Sequence, residues 1–187
     1  RVPTGGQAGP RLDRSVLAQL HAIKGVSVVC GSCTTSTTGL LRAALLAQRP
    51  VVLLEPRTLA NDTGLVAEAP TPLDRARVVR EGTDATVATW GTGVSTALAS
   101  AELLATEGVE VNVIDLVSLS PIDTATLSAA VKQTGRLIAA HTDAPAYATQ
   151  LLSTSLGDPF LFLESPVASA HTTTTDIAAR VREAVRC

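Results

Sequence analysis

Three groups of residues in this chain have types and spacings that could support chemistry. Cys30-Gly31-Ser32-Cys33 is a C-x-x-C turn between an apolar strand pattern and a helix pattern. A helix N-terminus lowers a thiol pKa, so a redox pair is chemically available there. The favoured reading is plainer: two small, partly buried thiols, because a thioredoxin-type site needs a mixed antiparallel sheet that the pattern does not suggest. Zinc would need two further ligands, and Cys187 and the histidines are distant in sequence. Gly91-Thr92-Gly93 follows a strand pattern and opens a helix, and Asp115 closes the next strand. That order resembles a dinucleotide fingerprint, which also asks for a third glycine so that helix and strand pack closely. Thr96 stands in its place. Glycines that let the chain turn sharply are the favoured reading. His141 ends a strand pattern at the edge where open α/β sheets place ligands. It is the one catalytic candidate, with Asp143 and Tyr147 near enough in sequence to complete a polar cluster; interface hydrogen bonding is the alternative. His21 reads as a solvated helix residue and His171 as loop. No G-x-S-x-G esterase elbow is present.

The elements that must carry these residues alternate. Apolar residues at helical spacing predict a helix over 14–23, and strand 26–30 leads into helix 36–48 through a cap-rich Thr/Ser run. Strand 50–55 follows, then a Pro- and Ala-rich linker over 56–82. The rhythm resumes with strand 85–90, helix 94–107, strand 110–115 and helix 123–133, the last opened by Ser120-Pro121-Ile122-Asp123. Strand 136–140, helix 145–155, a short strand 160–163 and helix 174–186 complete the chain, with Thr172–Thr175 expected to fray. Such alternation means right-handed βαβ units and parallel sheets.

Composition narrows the class. The 187 residues are 45% hydrophobic but only 2% aromatic, so the core is built from Val, Leu, Ile and Ala, which suits a parallel sheet wrapped in helices. A net charge of −2 offers no basic field for nucleic acid. No apolar run reaches the roughly 20 residues of a membrane span, and no signal-peptide core is seen. Three cysteines, an odd number, suit a reducing compartment, the cytoplasm. A chain that opens at Arg1 and contains no Met reads as a fragment or a processed product.

One stretch is more specific. Residues 107–127, EGVEVNVIDLVSLSPIDTATL, resemble the C-terminal domain of transketolase-like enzymes, and most closely the β subunit of 2-oxo acid dehydrogenase E1 components. VKQTGRLIAAH (131–141) matches the next strand of that family, which often ends in His-Glu; here it is His141-Thr142. RVPTGG (1–6), GVSVVCGSCTTSTTGLL and GLLRAALLAQRPVVLLE (39–55) resemble the end of its pyrimidine-binding domain. The resemblance implies an α/β fold in two parts. Residues 1–80 are the remnant of a pyrimidine-binding domain plus linker, and 83–187 a transketolase C-terminal-like domain. It also implies thiamine diphosphate with magnesium, held mainly by an α-type partner in a hetero-oligomer or dimer, with an acyltransferase core as a further partner.

Departures from the family pattern qualify that expectation. The family's catalytic glutamate lies upstream of RVPTGG, and Glu55 aligns with a structural acid instead. Leu12-Asp13-Arg14-Ser15 stand where the family has His-Ser-Gln-Ser, so a histidine is lost. Ala47 and Arg49 replace an Asp and an Asn that hold a structural potassium ion, so no potassium is expected. Val117 replaces the usual arginine. Two functions follow from the resemblance: the β-type half of a thiamine-dependent enzyme, or a non-catalytic assembly domain degenerate at the active site.

Overall fold

The computed structural model describes residues 16–141 and 145–186. Helix α1 (Val16–Ala22) leads to β1 (Ser27–Cys30), α2 (Thr34–Leu46) and β2 (Val51–Leu54). After a 3-10 turn at Arg57–Leu59 come β3 (Arg77–Arg80), β4 (Ala85–Thr89), α3 (Gly93–Ala105), β5 (Val111–Asp115) and β6 (Ser118–Ser120). The chain continues through α4 (Thr124–Thr134), β7 (Leu137–Ala140), α5 (Pro145–Leu156), β8 (Ala168–Ala170) and α6 (Thr174–Arg186).

Two sheets result. The smaller has the order β2-β1-β6 and the larger β3-β5-β4-β7-β8. Strand alternation assigns the faces of the larger sheet. Val87, Val113 and Ile138 point to one side and pack with Ala97, Ala101 and Leu104 of α3 and Ile177 and Val181 of α6. Ala88, Ile114 and Ala139 point to the other and meet Leu127 and Val131 of α4 and Leu152 of α5. The alanines let the helices lie close to the sheet. The result is a three-layer α/β unit. The second cluster also contains Val28, Cys30 and Leu54, so the smaller sheet shares a core with the larger. No helix among the described residues is long and apolar enough to cross a membrane.

The structure corrects several expectations. The stretch 56–82 is not all linker: Arg77–Arg80 form β3, an edge strand antiparallel to β5. The sheets are therefore mixed, because β6 also runs antiparallel to β1. The apolar run 160–163 is not a strand. Gly157 turns the chain with φ +56°, Asp158–Phe162 form a 3-10 helix, and Phe160, Leu161 and Phe162 are exposed. The strand that pairs with β7 is instead the short Ala168–Ala170. The threonine run does not fray: Thr173 Oγ1 accepts the Asp176 amide (3.2 Å), and α6 starts at Thr174. His21 is exposed, yet its Nδ1 lies 3.2 Å from Leu119 O, which tethers α1 to β6.

Candidate functional site

The chemistry-bearing residues converge where β1, β4 and β5 end. Asp115 is the last residue of β5 and is fully buried. Its carboxylate takes the Ser32 hydroxyl (2.6 Å), the Arg77 guanidinium (Nη2, 3.0 Å) and the Val117 amide (3.2 Å). Ser32 comes from the turn after β1, Arg77 from β3, and Val117 from the exit of β5. The β3–β5 register sets Arg77 directly opposite Asp115. Both carboxylate oxygens are thus engaged inside the protein, and at 0% exposure the group is closed to a ribose hydroxyl. Val117 carries a left-handed φ of 54°, costly for a β-branched residue. Its side chain is buried with Val29, Leu40 and Leu73, and its carbonyl accepts the Cys30 amide (2.8 Å).

The two cysteines are free and occupy different environments. Cys30 closes β1 and is buried. Burial, and secondarily the Asp115 charge, push its thiol up to about 12. Cys33 is exposed and caps α2, its Sγ accepting the Ser36 amide (3.5 Å).

The Gly91–Gly93 turn is filled by protein. A Cβ on Gly93 would fall 2.1 Å from Thr89 Oγ1 and 2.8 Å from Thr172 Cγ2. Gly91 has φ +59°, and a Cβ there would meet Pro56 and Cys30 Sγ at 3.1 and 3.3 Å. These glycines seat the β4–α3 turn against the end of β1 rather than forming an open phosphate cradle. Beside them, Trp90 stacks on His141, with ring centroids 4.2 Å apart and planes 21° from parallel. Burial pulls the His141 imidazole down to about 4, so it is neutral at physiological pH. His171 is exposed, and its amide donates to Asp176 (2.7 Å), a helix-start contact.

At the opening of α4, Asp123 accepts from the Thr126 hydroxyl (2.7 Å) and from the Thr126 and Ala76 amides (both 3.1 Å). Burial works against its carboxylate, but these donors and the nearby Arg75 outweigh it and hold the carboxyl below its usual range. The residue that reads as a helix start also fixes the segment leading into β3.

Thiamine diphosphate needs donors for its diphosphate and ligands for a metal. No group of three His, Cys, Asp or Glu among the described residues is placed to hold an ion. The glycine turn is closed and Asp115 is committed. The described residues do not fit that end of the cofactor.

A family model, "Transketolase, C-terminal domain", matches residues 74–184. The chain belongs to that family. The matched residues begin just before β3 and span the whole larger sheet. Relatives extend the match into the smaller sheet. The pyruvate dehydrogenase E1 component subunit beta-1 of Arabidopsis thaliana is 32% identical, covering 89% of this chain and 49% of that one. The acetoin:2,6-dichlorophenolindophenol oxidoreductase subunit beta of Cupriavidus necator is 38% identical, covering 77% and 43%. The chain spans about half the length of such relatives. Among solved structures, a split-gene transketolase described as an inactive beta4 tetramer superimposes with a TM-score of 0.80 at 22% identity, over 91% of this chain and 60% of that one. A transketolase from Pichia stipitis gives 0.62 at 13%, over 91% and 26%. These two establish the fold.

Against this transketolase-type framework, the structure brings Cys30, Gly91, Asp115, Trp90 and His141 to one edge. Leu12–Ser15, Asp143 and Cys187 lie outside the described residues, as does the side chain of Tyr147. Sequence reasoning missed Ser32, Arg77 and Trp90. Arg77 had one available signal: arginines bracketing two valines, RVVR, suit an edge strand.

Two measurements check this site. Asp115→Asn keeps the shape but removes the charge facing Arg77. Arg77 has a partial path to water, so the expected loss in denaturant unfolding is about 2–3 kcal/mol, below the 3–5 kcal/mol of a fully enclosed pair. A change within measurement error would show that the carboxylate does not join the sheets. For the thiols, mass-spectrometric mapping after iodoacetamide at pH 8 should find Cys33 alkylated and Cys30 protected. A thiol titrating near 12 is thiolate to only about one part in ten thousand at that pH. Equal labelling of the two in folded protein would refute the buried placement of Cys30.

Proposed function

We propose that the chain is the β-type portion of a thiamine-diphosphate-dependent 2-oxo acid dehydrogenase, similar to pyruvate dehydrogenase E1, or of a transketolase-like complex. The observation that carries this reading is the continuity of the match: E1 β subunits align with 89% of the chain, through both sheets. In this reading residues 1–80 are the end of a pyrimidine-binding domain plus linker, and 83–187 the transketolase C-terminal-like domain. An α-type partner holds most of the thiamine diphosphate and its magnesium. The larger sheet serves subunit contacts and docking of an acyltransferase core. Free Cys30 and Cys33 suit a reducing cytoplasm.

A second reading, an assembly domain without catalysis, has an observation of its own. Cys30 and His141 both shift toward their neutral, unreactive forms. Co-expression with an α-type E1 chain separates the two. The first reading expects a co-purifying complex that reduces 2,6-dichlorophenolindophenol when supplied with a 2-oxo acid, thiamine diphosphate and magnesium, provided that the co-expressed β-type gene includes a segment carrying the family's catalytic glutamate. A stable complex without turnover supports the assembly role, and no complex at all defeats both.

The cation reading has its own test. Arg49 Nε donates to Ser27 Oγ (2.7 Å), and Ala47 caps the end of α2 without a side-chain oxygen. A guanidinium at this corner repels a cation. Replacing sodium by potassium at equal ionic strength should leave the thermal midpoint unchanged, whereas a saturable rise of several degrees would mean that a potassium site persists.

A further inference from the structure

The C-terminal end of α2 and the segment that passes it enclose a cavity of about 390 Å³ that opens to solvent. Residues 62–73 run beside α2 as a strap. The Ala67 amide donates to Thr38 Oγ1 (2.9 Å) and the Thr71 amide to Gly39 O (3.0 Å). The second clip requires a glycine, because a Cβ at position 39 would fall 2.2 Å from Thr71 Oγ1. Leu73 then turns into the core with Val29, Leu40 and Val117. Pro70 and Pro72 stiffen the chain between these anchors. The strap side of the cavity is therefore fixed before any ligand arrives, which spares a ligand the cost of ordering it.

The chemistry of the cavity is divided. Ala43 and Leu46 of α2 face Pro70, Pro72 and Leu73 of the strap across it, and these give it apolar walls. Arg49 supplies the positive charge, and no acid stands among the described lining residues. Arg49 Nε donates to Ser27 Oγ (2.7 Å), which holds the guanidinium in place. Its two Nη groups have no partner among the described residues. Glu68 and Asp74, the acids that flank this part of the strap, are exposed, and neither pairs with Arg49. Arg42 stands one turn before Leu46 on the same face of α2 and adds to the positive field.

A fixed guanidinium with two free donors side by side matches the two oxygens of a carboxylate. Apolar walls ask for an aliphatic body behind that head. A phosphate suits the site less, because it brings nearly two negative charges to a cavity lined by one cation. An ammonium head would meet the repulsion of Arg49. The last carbonyls of α2 carry partial negative charge, so a carboxylate is drawn to the guanidinium and away from the helix end. We propose that this cavity binds an aliphatic carboxylate of roughly six to ten carbons, a size suited to a pocket at the small end of the ligand-binding range. The head accepts from the Nη groups of Arg49, and the chain lies between Leu46 and the two prolines. The site is independent of the E1 reading and uses none of the residues around Asp115.

Isothermal titration calorimetry of octanoate against the full chain is expected to show saturable binding. Octanol and octylammonium carry the same tail with no charge or the opposite one. Each should bind at least about tenfold more weakly, because it loses the charge-assisted bonds to Arg49. Acetate, a head without a chain, should give no saturable heat. Arg49→Gln should weaken octanoate to the level of octanol and leave octanol unchanged. Leu46→Gln should weaken both, and its melting profile should match that of the parent, because Leu46 is exposed. If Arg49→Gln does not fold, the comparison of the three ligands and Leu46→Gln still decide. Absence of saturable octanoate binding overturns the proposal, as do equal affinities for octanoate and octylammonium. Octanoate binding indifferent to Leu46→Gln overturns it too. A cavity covered by another chain in the assembled protein takes up no octanoate and gives the first of these results, while leaving the proposed function standing.

Discussion

A fully buried carboxylate, Asp115, ties the two sheets together. A charge taken out of water costs several kcal/mol unless it is paired and hydrogen-bonded. Here the compensation comes from three separate parts of the chain: Ser32 after β1, Arg77 on β3 and the Val117 amide beyond β5. That need explains otherwise arbitrary features. β3 lies antiparallel on the edge of β5 with Arg77 opposite Asp115. The chain leaving β5 turns through a left-handed residue so that its amide points back at the carboxylate and its carbonyl meets Cys30. β6 can then join the smaller sheet, and a continuous core forms beneath both.

The same carboxylate leaves the edge chemically quiet. It disfavours ionisation of the neighbouring Cys30, whose burial already does so. His141 is held neutral under Trp90. The glycine turn is occupied by Thr89 and Thr172. What this edge offers a partner is a rigid shape fixed by internal hydrogen bonds. That is consistent with the proposed function, in which the reactive groups are supplied elsewhere.

Much of the fold is legible in the sequence because the larger sheet is buried on both faces. Apolar runs at 85–90, 110–115 and 136–140 have no other stable home, and the strongly amphipathic 174–186 must lie across a sheet. The edges are not legible. RVVR is short and charged, so its pairing with β5 depends on a partner 38 residues away that no local pattern announces. FLFL has strand composition, but the preceding Gly-Asp-Pro fixes a turn and the small residues ASA take the sheet position instead. The site shows the same division. Cys30, the Gly91 turn, Asp115 and His141 can be singled out by type and position. The role of Asp115 cannot, because an acid at the end of a strand reads equally as a ribose ligand or as half of an ion pair.

The departures from the E1 pattern gather around one strand. Arg49, where the resemblance expects a cation ligand, bonds Ser27 at the start of β1. Val117, in place of an arginine, bonds the amide of Cys30 at its end. Cys30 and Cys33 flank the turn that delivers Ser32 to Asp115. These contacts hold β1 at both ends. At one end the Arg49 guanidinium is fixed against the Ser27 hydroxyl. At the other, an arginine at position 117 would add a second cation where Arg77 already neutralises Asp115, whereas the buried Val117 adds none and packs with Val29 and Leu40. Arg77 and Asp115 form the ion pair at the junction between the sheets.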